Sequence, residues 1–322
     1  MKRRALVVSV GAIAAAPLAR TQGAQVKRVA WLGLFPLDQP ASAWLWQPFR
    51  AELERRGWVE GRNIEFVHRA ADADDSRFPA LARELVAADV DLICVNTGYA
   101  AVAVKEATSR IPTVFVTVPD PVDQGVVKSL ARPGGNLTGL TSISSELIGK
   151  RMELLKQAFP RTQRVGVLPF IYASKRENQA TERVARRLGL QLLAAGVRKP
   201  EDITAALTAP APVDAWFVQD DLIYIRALPD VLQLMKRQRK PAIYGQTFWV
   251  QAGGLMAYAI DLVDHYRRAA AYVDRILRGA RPAELPVEQP TRFELSFNLK
   301  TARESDIDIP HAMLARADQV IE

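Results

Sequence analysis

The chain has one cysteine, Cys94, and three histidines, His68, His265 and His311, among 322 residues. One cysteine excludes an internal disulfide, and inside the apolar run Val90 to Val95 it reads as a small buried hydrophobe. The histidines are far apart and lack the spacing of a metal-ligand set. No metal and no cofactor is therefore expected. No apolar run reaches the ~20 residues of a membrane-spanning helix. The nucleotide fingerprints are missing too: the first apolar strand leads into "GLFPLDQP" rather than G-x-G-x-x-G, and no Walker lysine motif or G-x-S-x-G elbow occurs. There is also no dense Lys/Arg run with interleaved aromatics, so a nucleic-acid partner is not expected.

The formal charge is +8, but four of the cations, Lys2, Arg3, Arg4 and Arg20, lie in the first 24 residues, which hold no acid. The remainder carries +4. Lys2-Arg3-Arg4 followed by the apolar stretch Ala5 to Ala16 and a series of small residues has the pattern of a secretory signal peptide over 1–24. No cysteine follows that stretch, so no lipid attachment is expected. The mature protein is expected to be a periplasmic monomer without a membrane anchor.

What the sequence does contain is an alternation of strand and helix patterns. Strands are expected at Val29 to Phe35, Asn63 to His68, Asp91 to Val95 and Pro112 to Val118. Helices are expected at Trp46 to Gly57, with Pro48 confined to the first turn, at Phe78 to Ala88, and at Tyr99 to Thr108. "ARPGGNLTGLT", Ala131 to Thr141, interrupts the rhythm as a hinge-like segment. A helix from about Glu146 to Phe159 follows, with Ser144 or Ser145 as its cap. The pattern then restarts: strands at Arg164 to Leu168, Gln191 to Ala195, Ala215 to Val218 and Ala242 to Tyr244 alternate with helices. Leu255 to Ala259 reads as a strand, Leu262 to Leu277 as a helix capped by Asp261, and Arg292 to Leu299 as a last strand. Continuous apolar strands between helices argue for parallel sheets covered on both faces. The fold class is α/β, with two doubly wound parallel-sheet lobes joined by a hinge. The expected division is 25–140 plus about 258–286 for the first lobe, 141–257 plus about 287–305 for the second, and a tail over 306–322.

Polar and aromatic residues recur immediately after the strands, where open α/β sheets bind ligands. Asp38 follows the first strand. Thr97, Gly98, Tyr99 and Ala100 follow the third, at a helix start whose N–H groups suit an anion. Asp120 and Pro121 follow the fourth. In the second half the corresponding residues are Tyr172, then Asp220, Asp221 and Tyr224, then Phe248; Tyr258 and Asp261 close the set. The acids suit an ammonium or hydroxyls, and the aromatics suit stacking, though Asp220 and Asp221 could equally cap the next segment. No nucleophile with an evident base is among them, which suits binding rather than turnover.

Several segments carry a resemblance: "GWVEGRNIEF", "IPTVFVTVPDPVDQGVVKSLARPGGNLTGLT", "GKRMELLKQAFP", "AGGLMAYAIDLVDHYRRAAAYVDRILRGARPAELPVEQPTRFELSFNLKTA" and "LARADQVIE". They resemble the bacterial ABC transporter substrate-binding family related to the tryptophan-binding lipoproteins. The resemblance implies a type I periplasmic-binding-protein fold with three crossovers and a ligand in the interlobe cleft. It also implies delivery of an amino acid or other small carboxylate to a permease driven by a separate ATPase. Two turns depart from the family pattern. Asn96-Thr97-Gly98-Tyr99 stands where Gly-Thr-Pro-Ala is usual, and Pro169-Phe170 where Asn-Pro is common. A ligand sensor for a membrane kinase and an exported hydrolase are the alternatives.

Overall fold

A computed structural model of the chain describes residues 26–168, 175–197, 201–208, 212–219 and 221–322. The signal-like segment, Tyr172 and Asp220 lie outside these residues. Two sheets organise the rest. The first is built from β1 (Lys27–Gly33), β2 (Ile64–Ala70), β3 (Leu92–Val95), β4 (Thr113–Val118) and β5 (Leu137–Thr141). Its order is β2-β1-β3-β4-β5 and every pair is parallel. The connecting helices are α1 (Pro40–Arg55), α2 (Phe78–Ala87) and α3 (Gly98–Ala107).

After α4 (Ser144–Ala158) the second sheet takes β6 (Arg164–Leu168), β7 (Gln191–Ala194), β8 (Ala215–Val218), β9 (Ala242–Tyr244) and β10 (Met256–Ile260). These strands are joined through α5 (Lys175–Arg187), α6 (Asp202–Thr208), α7 (Leu222–Arg226), α8 (Leu228–Gln238) and α9 (Thr247–Gln251). The chain then returns through α10 (Leu262–Leu277), which packs along α1 of the first lobe. β11 (Phe293–Asn298), α11 (Leu299–Ser305), α12 (His311–Leu314) and β12 (Gln319–Ile321) complete the second lobe. The second sheet runs β12-β11-β10-β9-β8-β6-β7, parallel except where β11 meets β10. Its β7-β6-β8-β9-β10 part repeats the order of the first sheet.

The all-apolar strands β3 and β8 are buried along their whole length. Cys94 lies in β3 with no exposure, and burial pushes its thiol far above the ordinary range, so it is an inert core residue. Each sheet has a hydrophobic cluster on both faces. That is what covering a parallel sheet by crossover helices requires.

Three crossovers join the lobes side by side. Glu288 N–H donates to Gly139 O at 2.9 Å, Thr141 N–H to Glu288 O at 3.0 Å, and Asp261 N–H to Arg292 O at 3.1 Å. Gly139 has φ +151°, and a Cβ there would run into the Phe115 carbonyl, so β5 approaches β4 this closely only through glycine.

Some expected boundaries differ. α1 begins at Pro40, six residues before the expected Trp46, and Pro48 sits in its interior. The Pro40 ring fixes the φ of a first helical residue, while Pro48 deprives the Trp44 carbonyl of its usual i+4 donor. α4 has Ile143, at φ +45°, in the cap place and no side-chain cap from it; Thr141 Oγ1 instead accepts the Ile143 N–H at 3.3 Å. Before α2, Asp74 accepts the Ser76 N–H and caps the short turn Asp75–Arg77 that leads into the helix.

Candidate functional site

The carboxyl ends of both sheets face one cavity of about 770 Å³. At the first sheet it opens between β1 and β3, the point where the chain order reverses. Its first-lobe wall begins with an aromatic cluster. Trp31 of β1 lies edge-on to Trp46 (ring centroids 5.3 Å) and Phe49 (5.1 Å), and near Tyr266 of α10 (5.8 Å). Trp31, Trp46 and Tyr266 line the cavity, and Trp44, Phe35 and Leu37 extend the apolar surface.

The turn after β3 supplies Asn96, Thr97, Gly98 and Tyr99. Thr97 is the N-cap of α3, its Oγ1 accepting the Ala100 N–H at 3.1 Å. That bond corrects one expectation: Ala100 is fully buried, its N–H is held by the cap, and it is not part of the wall. Asn96 is tied by its carbonyl, which accepts Thr117 Oγ1 at 2.7 Å, and by its Nδ2, which donates to the Tyr266 hydroxyl at 3.4 Å. Burial pushes the Tyr266 phenol up to about 12, so it stays protonated.

The second lobe contributes Gln219 after β8, Gln246, Phe248 and Gln251 around α9, and two cations, Arg151 and Arg226. Arg151 is buried; its Nε donates to Tyr258 O at 2.8 Å and its Nη2 to Gly245 O at 2.6 Å. It therefore clamps β10 to the turn that carries Gln246. Among the described residues, three buried polar atoms on the wall have no hydrogen-bond partner: Trp31 Nε1, Asn96 Oδ1 and Gln246 Oε1.

The other expected residues stand elsewhere. Asp38 is exposed in the turn that Gln39 N–H closes onto Pro36 O, and the apolar Leu34, Phe35 and Leu37 take the wall instead. Asp120 adopts φ +41° and its carbonyl receives the Gln124 N–H, while the buried Pro121 carbonyl receives the Val126 and Val127 N–H groups. Both serve the loop, and only their neighbour Pro119 reaches the cavity. Asp221 is buried as the N-cap of α7, accepting the Ile223 N–H at 3.1 Å. Tyr224 is fully buried in the second-lobe core, where burial raises its phenol. Tyr258 stacks on Phe293 at 5.9 Å and offers its backbone to Arg151 rather than its ring to the cavity. Asp261 caps α10 through the Asp264 N–H at 2.9 Å. It lines a smaller cavity of about 370 Å³ with Glu294 and Asp318, which shares Trp44, Gln251 and Leu262 with the main one. Burial, with Asp261 and Asp318 nearby, raises the Glu294 carboxyl.

Of the residues proposed from sequence, Thr97, Gly98, Tyr99 and Phe248 lie together around this cavity. The tryptophans, Arg151, Gln219 and Arg226 were not singled out by sequence reasoning. Trp31, Trp44 and Trp46 were visible as an unusual aromatic density around the end of β1. Among the described lining residues there is no histidine, cysteine or carboxylate. Such a surface suits an apolar body held by a few fixed polar contacts.

The family model described as ABC transporter substrate binding protein matches residues 34–321. A tyrosine-binding protein of Clostridioides difficile is 26% identical over 262 residues, covering 80% of this chain and 75% of the relative. A conserved domain protein of Vibrio cholerae overlays with a TM-score of 0.84 at 27% identity, covering 92% of this chain and all of that one. A Streptococcus pneumoniae ABC domain solved in complex with L-Trp gives 0.83 at 25% identity, again over 92% of this chain and all of its own. The two-lobe α/β architecture is the type I periplasmic-binding-protein fold.

Proposed function

The chain belongs to the ABC transporter substrate-binding protein family, which comprises solute-binding proteins rather than enzymes, and from there we propose that it captures an aromatic amino acid between its lobes and delivers it to a membrane permease powered by a separate ATPase. The observation that carries this reading is the aromatic wall, Trp31, Trp44, Trp46 and Tyr266, facing Phe248 across a cavity that also presents Arg151 and Arg226. Flat rings bury a large area and stack with defined geometry. A guanidinium pairs with a carboxylate. The relatives that bind tryptophan and tyrosine support the same ligand class. The signal-like first 24 residues support a periplasmic site of action. In this reading the lobes are 25–140 with about 258–286, and 141–257 with about 287–305, with the tail 306–322 adding β12 beside β11.

Calorimetric titration of the purified protein tests it. L-tryptophan, L-tyrosine or L-phenylalanine is expected to bind with micromolar affinity or better, with Phe248→Ala weakening binding about tenfold or more. Absence of binding by all three contradicts the proposal.

A further inference from the structure

Two neutral carbonyl oxygens, one from each lobe, lie buried on the cavity wall without partners among the described residues. Asn96 Oδ1 stands between β3 and α3, on a side chain whose other end is fixed by the Tyr266 hydroxyl. Gln246 Oε1 stands at the start of α9, on a side chain that makes no cap bond and follows the Gly245 carbonyl held by Arg151. Buried acceptors in native proteins are nearly always paired, so two left unpaired on the same cavity call for a donor from outside the chain. Both are acceptors only, so a ligand carboxylate cannot satisfy them; an ammonium, with three donors, can serve both. The wall's donors, Arg151, Arg226 and Trp31 Nε1–H, suit the ligand's carboxylate. No described carboxylate lines this cavity to compete for the ammonium.

Resting on the amino-acid reading above, we propose that the ligand's ammonium bridges Asn96 of the first lobe and Gln246 of the second. Neutral carbonyls on opposite lobes, rather than an acidic side chain, then make closure selective for amino acids over the corresponding acids. A group shared between lobes is held only when they face each other, so this contact favours the closed form over the open one.

The test compares L-tryptophan with indole-3-propionate, which keeps the ring and the carboxylate and lacks the amino group. By calorimetry, the wild-type protein is expected to prefer tryptophan by about 100-fold or more, since a site built for a donor rejects the analogue that lacks it. Gln246→Leu and Asn96→Ala are each expected to reduce that preference about tenfold. They should do so by weakening tryptophan while leaving indole-3-propionate within about threefold. Thermal midpoints near wild type confirm folding, and Gln246→Met substitutes if Gln246→Leu does not fold. Similar wild-type affinities for the two probes overturn the inference, as does equal weakening of both by the variants. Asp220→Asn abolishing the preference while Gln246→Leu preserves it also overturns it, assigning the ammonium to that carboxylate. Binding of neither probe by wild type overturns the amino-acid reading itself, and this inference with it.

Discussion

At the scale of single residues, His265 makes the sharpest prediction. It lies in the first turn of α10, 1% exposed, its Nε2 buried without a partner. Burial, then the neighbouring Arg268 guanidinium, lowers its pKa to about 4, against weaker opposing effects from the Thr141 backbone, Glu288 and Asp261. Above pH ~6.5 the imidazole is neutral in both the folded and the unfolded chain, and its neutral burial contributes fully to stability. Between ~6.5 and ~4 the unfolded chain takes up a proton that the folded chain refuses, so stability falls with pH, by roughly 3 kcal/mol once below both values. His68, lowered by burial, acts in the same direction. Urea unfolding at pH 7.5, 6 and 5 is expected to show a steeper loss in wild type than in His265→Phe; identical slopes would show that His265 is not the titrating group. Other residues show where sequence reading succeeds. The capping roles of Thr97 and Asp261 are legible because a Thr or Asp before an apolar helix has one obvious local job. The unpaired oxygens of Asn96 and Gln246 are not legible, because the surroundings are set by distant residues: Tyr266 holds the Asn96 side chain, and Arg151 holds the Gly245 carbonyl beside Gln246.

At the scale of elements, α10 and its crossover hold the lobes together. Asp261 caps the helix. Arg268, from its second turn, donates to Glu288 Oε2, with its Nε at 3.0 Å, and Tyr272 Oη donates toward Glu288 Oε1 at 3.0 Å. Asp261→Ala is expected to cost about 1 kcal/mol by loss of the cap. It should lower the melting temperature by roughly 2 °C while leaving tryptophan affinity within about threefold. A tenfold loss of affinity with an unchanged melting temperature would instead make Asp261 a ligand residue. The period-3.6 face of this helix was readable from sequence, and so were most strands, because buried parallel strands are continuous apolar runs. The start of α1 was not, since Gln39 rather than Ser, Thr, Asp or Asn directly precedes Pro40 and a second proline, Pro48, lies inside the helix. The antiparallel placement of β11 was also hidden, because strand direction follows from the route of the chain rather than from its residues.

At the scale of the whole molecule, two sheets of matching strand order turn their carboxyl ends toward one another, and three adjacent crossovers join them. Among the described residues no helix is long and apolar enough to cross a membrane. The doubled βα rhythm and the hinge-like break made this architecture legible. The cavity's character was only partly so, because which face of a turn meets the facing lobe is decided by tertiary packing. Asp38 and Tyr224 illustrate this: each follows a strand end, yet one points to solvent and the other into the core. A ligand held by both lobes stabilises the form in which they face each other. The most direct measurement is small-angle X-ray scattering of the purified protein, recorded with and without saturating L-tryptophan. A smaller radius of gyration and maximum dimension with ligand is the expected result, and an unchanged profile at a concentration where calorimetry shows full occupancy would contradict capture by lobe closure.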